Sequence, residues 1–112
     1  MALPKTNRLK KKKDVNLVLK TGKTERGKFL IFKFLETNFD KSRFAFLVSK
    51  KISKKAVLRN KIKRRMSEIV REEMKKISKR IDGVFIALSG IEKQSFQNIK
   101  EEIKRIFQKL KL

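Results

Sequence analysis

The sequence predicts an α+β fold: a two-layer αβββαβα sandwich with helices packed on a central mixed sheet. Three observations carry this. Residues 29–35 and 43–49 are aromatic and β-branched with a period of two, as strands are. Residues 54–80 and 96–110 repeat apolar side chains at helical spacing. Between those helices, residues 84–88 form a short, almost wholly apolar run of the kind a strand buried on both sides presents.

Residues 1–13 are polar and basic, ending in Lys10-Lys11-Lys12-Lys13, and read as a flexible arm. Asp14 is placed to cap a short helix with Val15, Val18 and Leu19 at i, i+3 and i+4. Thr21-Gly22 ends it, with Gly22 suited to a left-handed C-terminal position. A minor strand is expected near residues 23–26. The strand at 29–35 puts Leu30, Phe32 and Phe34 on one face and Phe29 and Ile31 on the other. Turn residues at 37–41 lead to the strand at 43–49, so these two read as an antiparallel hairpin. Ser53 sits where a helix cap belongs, before the long helix of Ile62, Met66, Ile69, Val70, Ile77 and Ile81. Asp82-Gly83 reads as its break, and Gly90 closes the strand at 84–88. Ser95 is placed to cap a last helix presenting Phe96, Ile99, Ile103, Ile106, Phe107 and Leu110.

Composition narrows the function. The 112 residues, one domain's worth, carry 33 Lys and Arg against 11 Asp and Glu, for a formal charge of +22. There is no Cys and no His. That excludes a Cys nucleophile, a Ser-His triad, a His base, a disulfide framework and a His/Cys zinc site. A compact domain at this charge repels itself and calls for a polyanionic partner. No apolar run reaches the roughly 18 to 20 residues of a membrane span, which leaves nucleic acid as the expected partner, and the missing Cys fits a reducing cytoplasm as the expected location. No membrane and no small-molecule substrate are expected. Residues 1–67 hold 22 basic and 4 acidic side chains, while 68–112 hold 11 and 7, so the anion-binding surface belongs to the first part.

Residues 50–65 hold nine basic side chains and no acid. They include Lys50, Lys51, Lys54 and Lys55 ahead of the long helix, then Arg59, Lys61, Lys63, Arg64 and Arg65 on it. At 100° per residue, Asn60, Arg64 and Arg71 share an outward stripe, with Arg59 and Lys63 beside it. A stripe of like charges destabilises an isolated helix, which points to phosphate binding rather than a solvated face. Nine Phe without Tyr or Trp supply a core, with Phe29, Phe44, Phe85, Phe96 and Phe107 expected there. The Leu30, Phe32, Phe34 face is expected instead to line a cleft against the first helix, where rings could stack on single-stranded bases. No carboxylate cluster of the kind a metal nuclease needs stands out; Glu68 with Glu72 reads as an exposed helix pair.

Phe46-Leu47-Val48-Ser49-Lys50-Lys51, followed by Ala56-Val57-Leu58-Arg59-Asn60-Lys61-Ile62-Lys63-Arg64, resembles the signature of the bacterial ribonuclease P protein subunits. Asn7-Arg8-Leu9-Lys10, the helix ending at Thr21-Gly22 and the strand at 82–87 fall in family order, so the resemblance spans about residues 7–110. The chain departs from the pattern at Lys61, where Arg is usual, and at Ser53, where Gly is. Leu88 replaces a frequent basic residue, and Val15 and Leu19 replace frequent Phe. The resemblance implies a left-handed βαβ crossover. It further implies a ribonucleoprotein that removes the 5′ leader of precursor tRNA, with hydrolysis performed by the RNA subunit and its magnesium. The protein would bind the catalytic RNA through the basic block, and the leader through a cleft of Val15, Leu19, Leu30, Phe32 and Phe34. A structural RNA-binding protein of ribosomal type is the alternative.

Overall fold

The computed structural model describes residues 3–112. In chain order the elements are α1 (Lys12–Thr21), β1 (Lys23–Arg26), β2 (Leu30–Glu36), β3 (Arg43–Leu47), α2 (Ala56–Glu73), β4 (Ile81–Ala87) and α3 (Phe96–Lys109). The fold is the expected α+β sandwich around a four-stranded mixed sheet. Its strand order is β1-β2-β4-β3.

That order corrects the expected hairpin. β2 pairs antiparallel with β1 and with β4, and β3 pairs parallel with β4. β4 therefore separates β2 from β3. It is the most buried strand, at six of seven positions, and it gains most from a neighbour on each edge. Residues 37–42 need only cross the two strand spacings, roughly 10 Å, over its end.

Register decides what each face carries. Phe32 lies opposite Phe85, and Phe46 also lies opposite Phe85, so the rings of three strands share one face. α2 and α3 cover that face with Met66, Ile69, Val70, Ile99, Ile103, Ile106 and Phe107. The other face carries Ala45, Val84 and Ile86 and is covered in part by α1, through Val18 with Val15 and Leu19.

Asp82-Gly83 lies inside β4 rather than ending a helix. A Cβ at Gly83 would stand 2.6 Å from the Phe32 ring and 3.1 Å from that of Phe44, so the glycine is where two rings cross the strand. α2 is correspondingly shorter than expected, closing in a 3₁₀ turn at Met74–Lys76. Three expected caps also change. α1 begins two residues before Asp14, at Lys12. Gly22 is extended at φ −70°, and its smallness serves close approach: a Cβ would lie 2.5 Å from the Val18 carbonyl oxygen. The N-cap of α2 is Lys55, and Ser53 instead accepts the Lys55 N–H at 3.2 Å. Ser95 caps α3 as expected, accepting the Asn98 N–H at 3.1 Å.

The arm expected at 1–13 is not free over its described part; residues 1 and 2 lie outside the described residues. Leu3 is buried within the α2–α3 core, and Leu9 is buried on the α1 face. Between them the chain runs along the outer edge of β3. Arg8 bridges Phe44, the Leu9 N–H donates to the Phe44 carbonyl at 2.9 Å, and the Asn7 amide donates to the Ser42 carbonyl at 2.8 Å. Two leucines anchored on opposite sides of an edge strand hold the segment in place.

Candidate nucleic-acid interface

α1 leaves the β3 side of its sheet face open. The result is a groove of about 500 Å³ between α1 and β3. Its floor and walls are apolar and mostly aliphatic: Leu9, Val15, Leu19, Ala45 and Leu47, with the largely buried Phe44 and Phe46 also contributing to the lining. Its rim is basic, with Arg8, Lys10 and Lys12 on one side and Lys63 on the other. Lys63 belongs to α2, on the far side of the sheet, and reaches the groove because β3 is an edge strand.

Of the residues expected to line a cleft, Val15 and Leu19 do so. Leu30, Phe32 and Phe34 do not: at 0%, 0% and 5% exposure they sit under α2 and α3. The expectation had the strand faces reversed. The Phe-bearing faces of β2, β3 and β4 carry the larger apolar area, and they take the layer with two helices. Phe44, Phe85 and Phe107 are core as expected. Phe29 is only partly buried, and Phe96, at the first position of α3, is exposed.

The basic block lies next to the groove. Lys50, Lys51, Lys54 and Lys55 are exposed in the loop before α2, and Asn60, Lys61, Arg64 and Arg71 are exposed on its outer face. Arg59 is different. Its Nη1 donates to the carbonyls of Ser53 and Lys54, both at 2.9 Å, so it folds the basic loop onto the helix start. Arg8 is likewise engaged, its Nε donating to the Leu3 carbonyl at 2.8 Å.

A charge clamp fixes α1 beside the groove. Arg43 donates from Nε and Nη2 to the two carboxylate oxygens of Asp82, at 2.9 and 2.7 Å. The same guanidinium lies 3.8 Å from Asp14 on α1 and 4.3 Å from the centre of the Phe39 ring. The Asp82 hydrogen bonds raise the Arg43 pKa above its ordinary value, so this cation stays charged throughout the working range. Lys33 donates to the Leu19 carbonyl at 3.0 Å, placing a cation at the last turn of α1.

Sequence reasoning missed the clamp and the rim residues Arg8, Lys10 and Lys12. A signal was present. Ala45 and Leu47 alternate with Phe44 and Phe46, which marks a thin aliphatic face that helices cover only in part.

The described residues offer no group of three or more carboxylates for a metal ion. Asp14 and Asp82 share Arg43, whose charge opposes a cation between them. Among the described residues, the donor set does not fit a magnesium ion.

Fold and site together define a class: a small, strongly basic α+β protein whose mixed sheet carries an open aliphatic groove rimmed by cations. The sequence matches the family model described as Ribonuclease P over residues 3–111. It is 36% identical over 107 residues to the ribonuclease P protein component of Syntrophomonas wolfei, covering 96% of this chain and 89% of that one. With that of Microcystis aeruginosa it shares 34% over 113 residues, covering 97% and 94%. The RNase P protein of Staphylococcus aureus superposes with a TM-score of 0.83 at 26% identity, covering 94% of this chain and 95% of that one. That of Thermotoga maritima superposes with a TM-score of 0.82 at 28% identity, covering 91% and 96%. The chain belongs to the ribonuclease P protein component family.

Proposed function

We propose that the chain binds the catalytic RNA of ribonuclease P through its basic block and the 5′ leader of precursor tRNA in the α1–β3 groove. It thereby promotes removal of the leader to give the mature 5′ end, in the cytoplasm. The observation that carries this reading is the continuity of the two surfaces: Lys63 belongs to the α2 block and also rims the groove. An RNA gripped at α2 thus brings a strand running into the groove within reach of Arg8, Lys10 and Lys12. Those cations suit phosphates, and the aliphatic walls suit bases with no demand on their order.

In this reading the protein positions and the RNA cuts. The buried carboxylates have other duties: Asp82 holds Arg43, Glu73 pairs with Lys76, and Glu102 binds backbone N–H groups. Magnesium belongs to the RNA partner, and no chemical step passes through the protein's side chains.

Cleavage of precursor tRNA by a cognate catalytic RNA at low magnesium, with and without this chain, tests the proposal. The chain restores cleavage, and rigorously RNA-free chain alone cuts nothing. RNA binding without restored cleavage would favour a structural protein of ribosomal type. Cleavage by the RNA-free chain would place catalytic groups in the protein.

A further inference from the structure

We propose that Asn16 reads a base of the strand lying in the groove and is the specificity-determining residue of that site. This rests on the leader reading above and adds to it a sequence preference.

The polar inventory of the groove leads there. The polar side chains lining it are Arg8, Lys10, Lys12, Asn16 and Lys63. Four are cations, which donate hydrogen bonds and accept none. Lysine ammonium groups are compact, strongly hydrated point charges that suit phosphate oxygens, which every nucleotide presents alike. Arg8 has its Nε committed to the Leu3 carbonyl. Asn16 is uncharged, and its amide both donates and accepts, which matches a base edge presenting an acceptor beside a donor, as adenine does.

The amide is also available. Asn7 donates to the Ser42 carbonyl and Asn98 to Gln94, while Asn38 and Asn60 lie outside the groove lining. Asn16 is exposed, and among the described residues its side chain makes no hydrogen bond. Its neighbours place it well. Lys12, Val15, Asn16 and Leu19 lie at i, i+3, i+4 and i+7 on one face of α1 and all line the groove. Lys12 and Asn16 are one turn apart, about 6 Å along the axis. A nucleotide whose phosphate meets Lys12 therefore has Asn16 within reach of its base. The aliphatic walls at Val15, Leu19, Ala45 and Leu47 offer contact area but no hydrogen bonds, so they cannot make the distinction.

The test uses the holoenzyme, this chain assembled with its catalytic RNA. Precursor tRNAs carry leaders varied through all four bases at one upstream position at a time, and mature tRNA serves as the leaderless reference. Wild type shows one position where the best and worst bases differ by about tenfold in affinity. Asn16→Ala shrinks that spread to within about twofold while precursor still binds better than mature tRNA. Asn16→Asp, which only accepts, shifts the rank order toward bases presenting an amino group. Thermal melts of both variants match wild type, as an exposed position requires. The proposal is overturned if the spread survives in Asn16→Ala, or if wild type shows no base preference at any position. If wild type binds precursor no better than mature tRNA, the leader reading itself has failed, an outcome separate from the other two.

Discussion

The ring of Phe32 meets those of Phe85, Phe34 and Phe107, with centroids 4.5, 5.5 and 5.5 Å away. No part of Phe32 is exposed. Phe32→Ala should therefore lower stability by about 3 to 5 kcal/mol in a denaturant melt, the range for a buried Phe. Its effect on tRNA should be indirect, weakening precursor and mature forms alike. A selective loss of precursor binding in a stably folded Phe32→Ala variant would return the ring to the groove. The reversal at this residue has a physical cause. Period-two alternation separates two faces of a strand but does not say which one the helices choose. That choice follows from the summed apolar area of all four strands, which no single strand reveals. Val15 and Leu19 were legible because helical spacing and the adjacent sheet leave them one side to face.

At the scale of elements, the β1–β2 turn shows how a distant helix fixes a hairpin. Glu102 of α3, 2% exposed, accepts the N–H groups of Lys28 and Phe29 at 2.6 and 2.8 Å. Gly27 completes the fit, since a Cβ there would come within 2.7 Å of that carboxylate. Glu102→Gln puts an amide N–H against one of those donors. It should cost about 2 to 3 kcal/mol, with early loss of amide-exchange protection in β1 and β2. Unchanged protection there would mean the carboxylate is only a satisfied bystander. Element existence was readable from local pattern: strands at 29–35 and 43–49, a strand near 84–88, helices near 14, 54 and 96. Pairing was not. Sequence neighbours suggested a hairpin, while the apolar demand of β4 for two partners was a property of the whole sheet. The same holds for the arm, where Leu3 and Leu9 are isolated apolar residues in a basic stretch and find burial only because β3 is an edge.

On the scale of the whole molecule, positive charge governs how the chain meets RNA. At +22, the chain should bind its RNA with affinity that falls steeply with salt, each phosphate contact adding about 0.7 to 0.9 to the slope of log K against log salt. Lys63→Ala and Arg64→Ala should each reduce that slope by roughly one unit, and Asn60→Ala should lower affinity with little change in slope. Arg59→Ala should in addition cost stability, because Arg59 closes two carbonyls of the basic loop. Slopes unchanged in both Lys63→Ala and Arg64→Ala would reduce the α2 stripe to a solvated face. The location of this charge was legible from composition alone, because it needs no knowledge of packing.

The central claim is that the leader lies in the α1–β3 groove and not on the helix-covered face. The absence of Cys makes the most direct test clean, since any introduced cysteine is unique. Leu47→Cys sits in the groove, and Glu101→Cys sits exposed on α3 across the sheet. Each is labelled with a short photo-crosslinker and assembled with the catalytic RNA and precursor tRNA carrying a radiolabelled leader. The account predicts leader crosslinks from position 47 that disappear with mature tRNA, and none from position 101. Leader crosslinks from position 101, with none from 47, would contradict it.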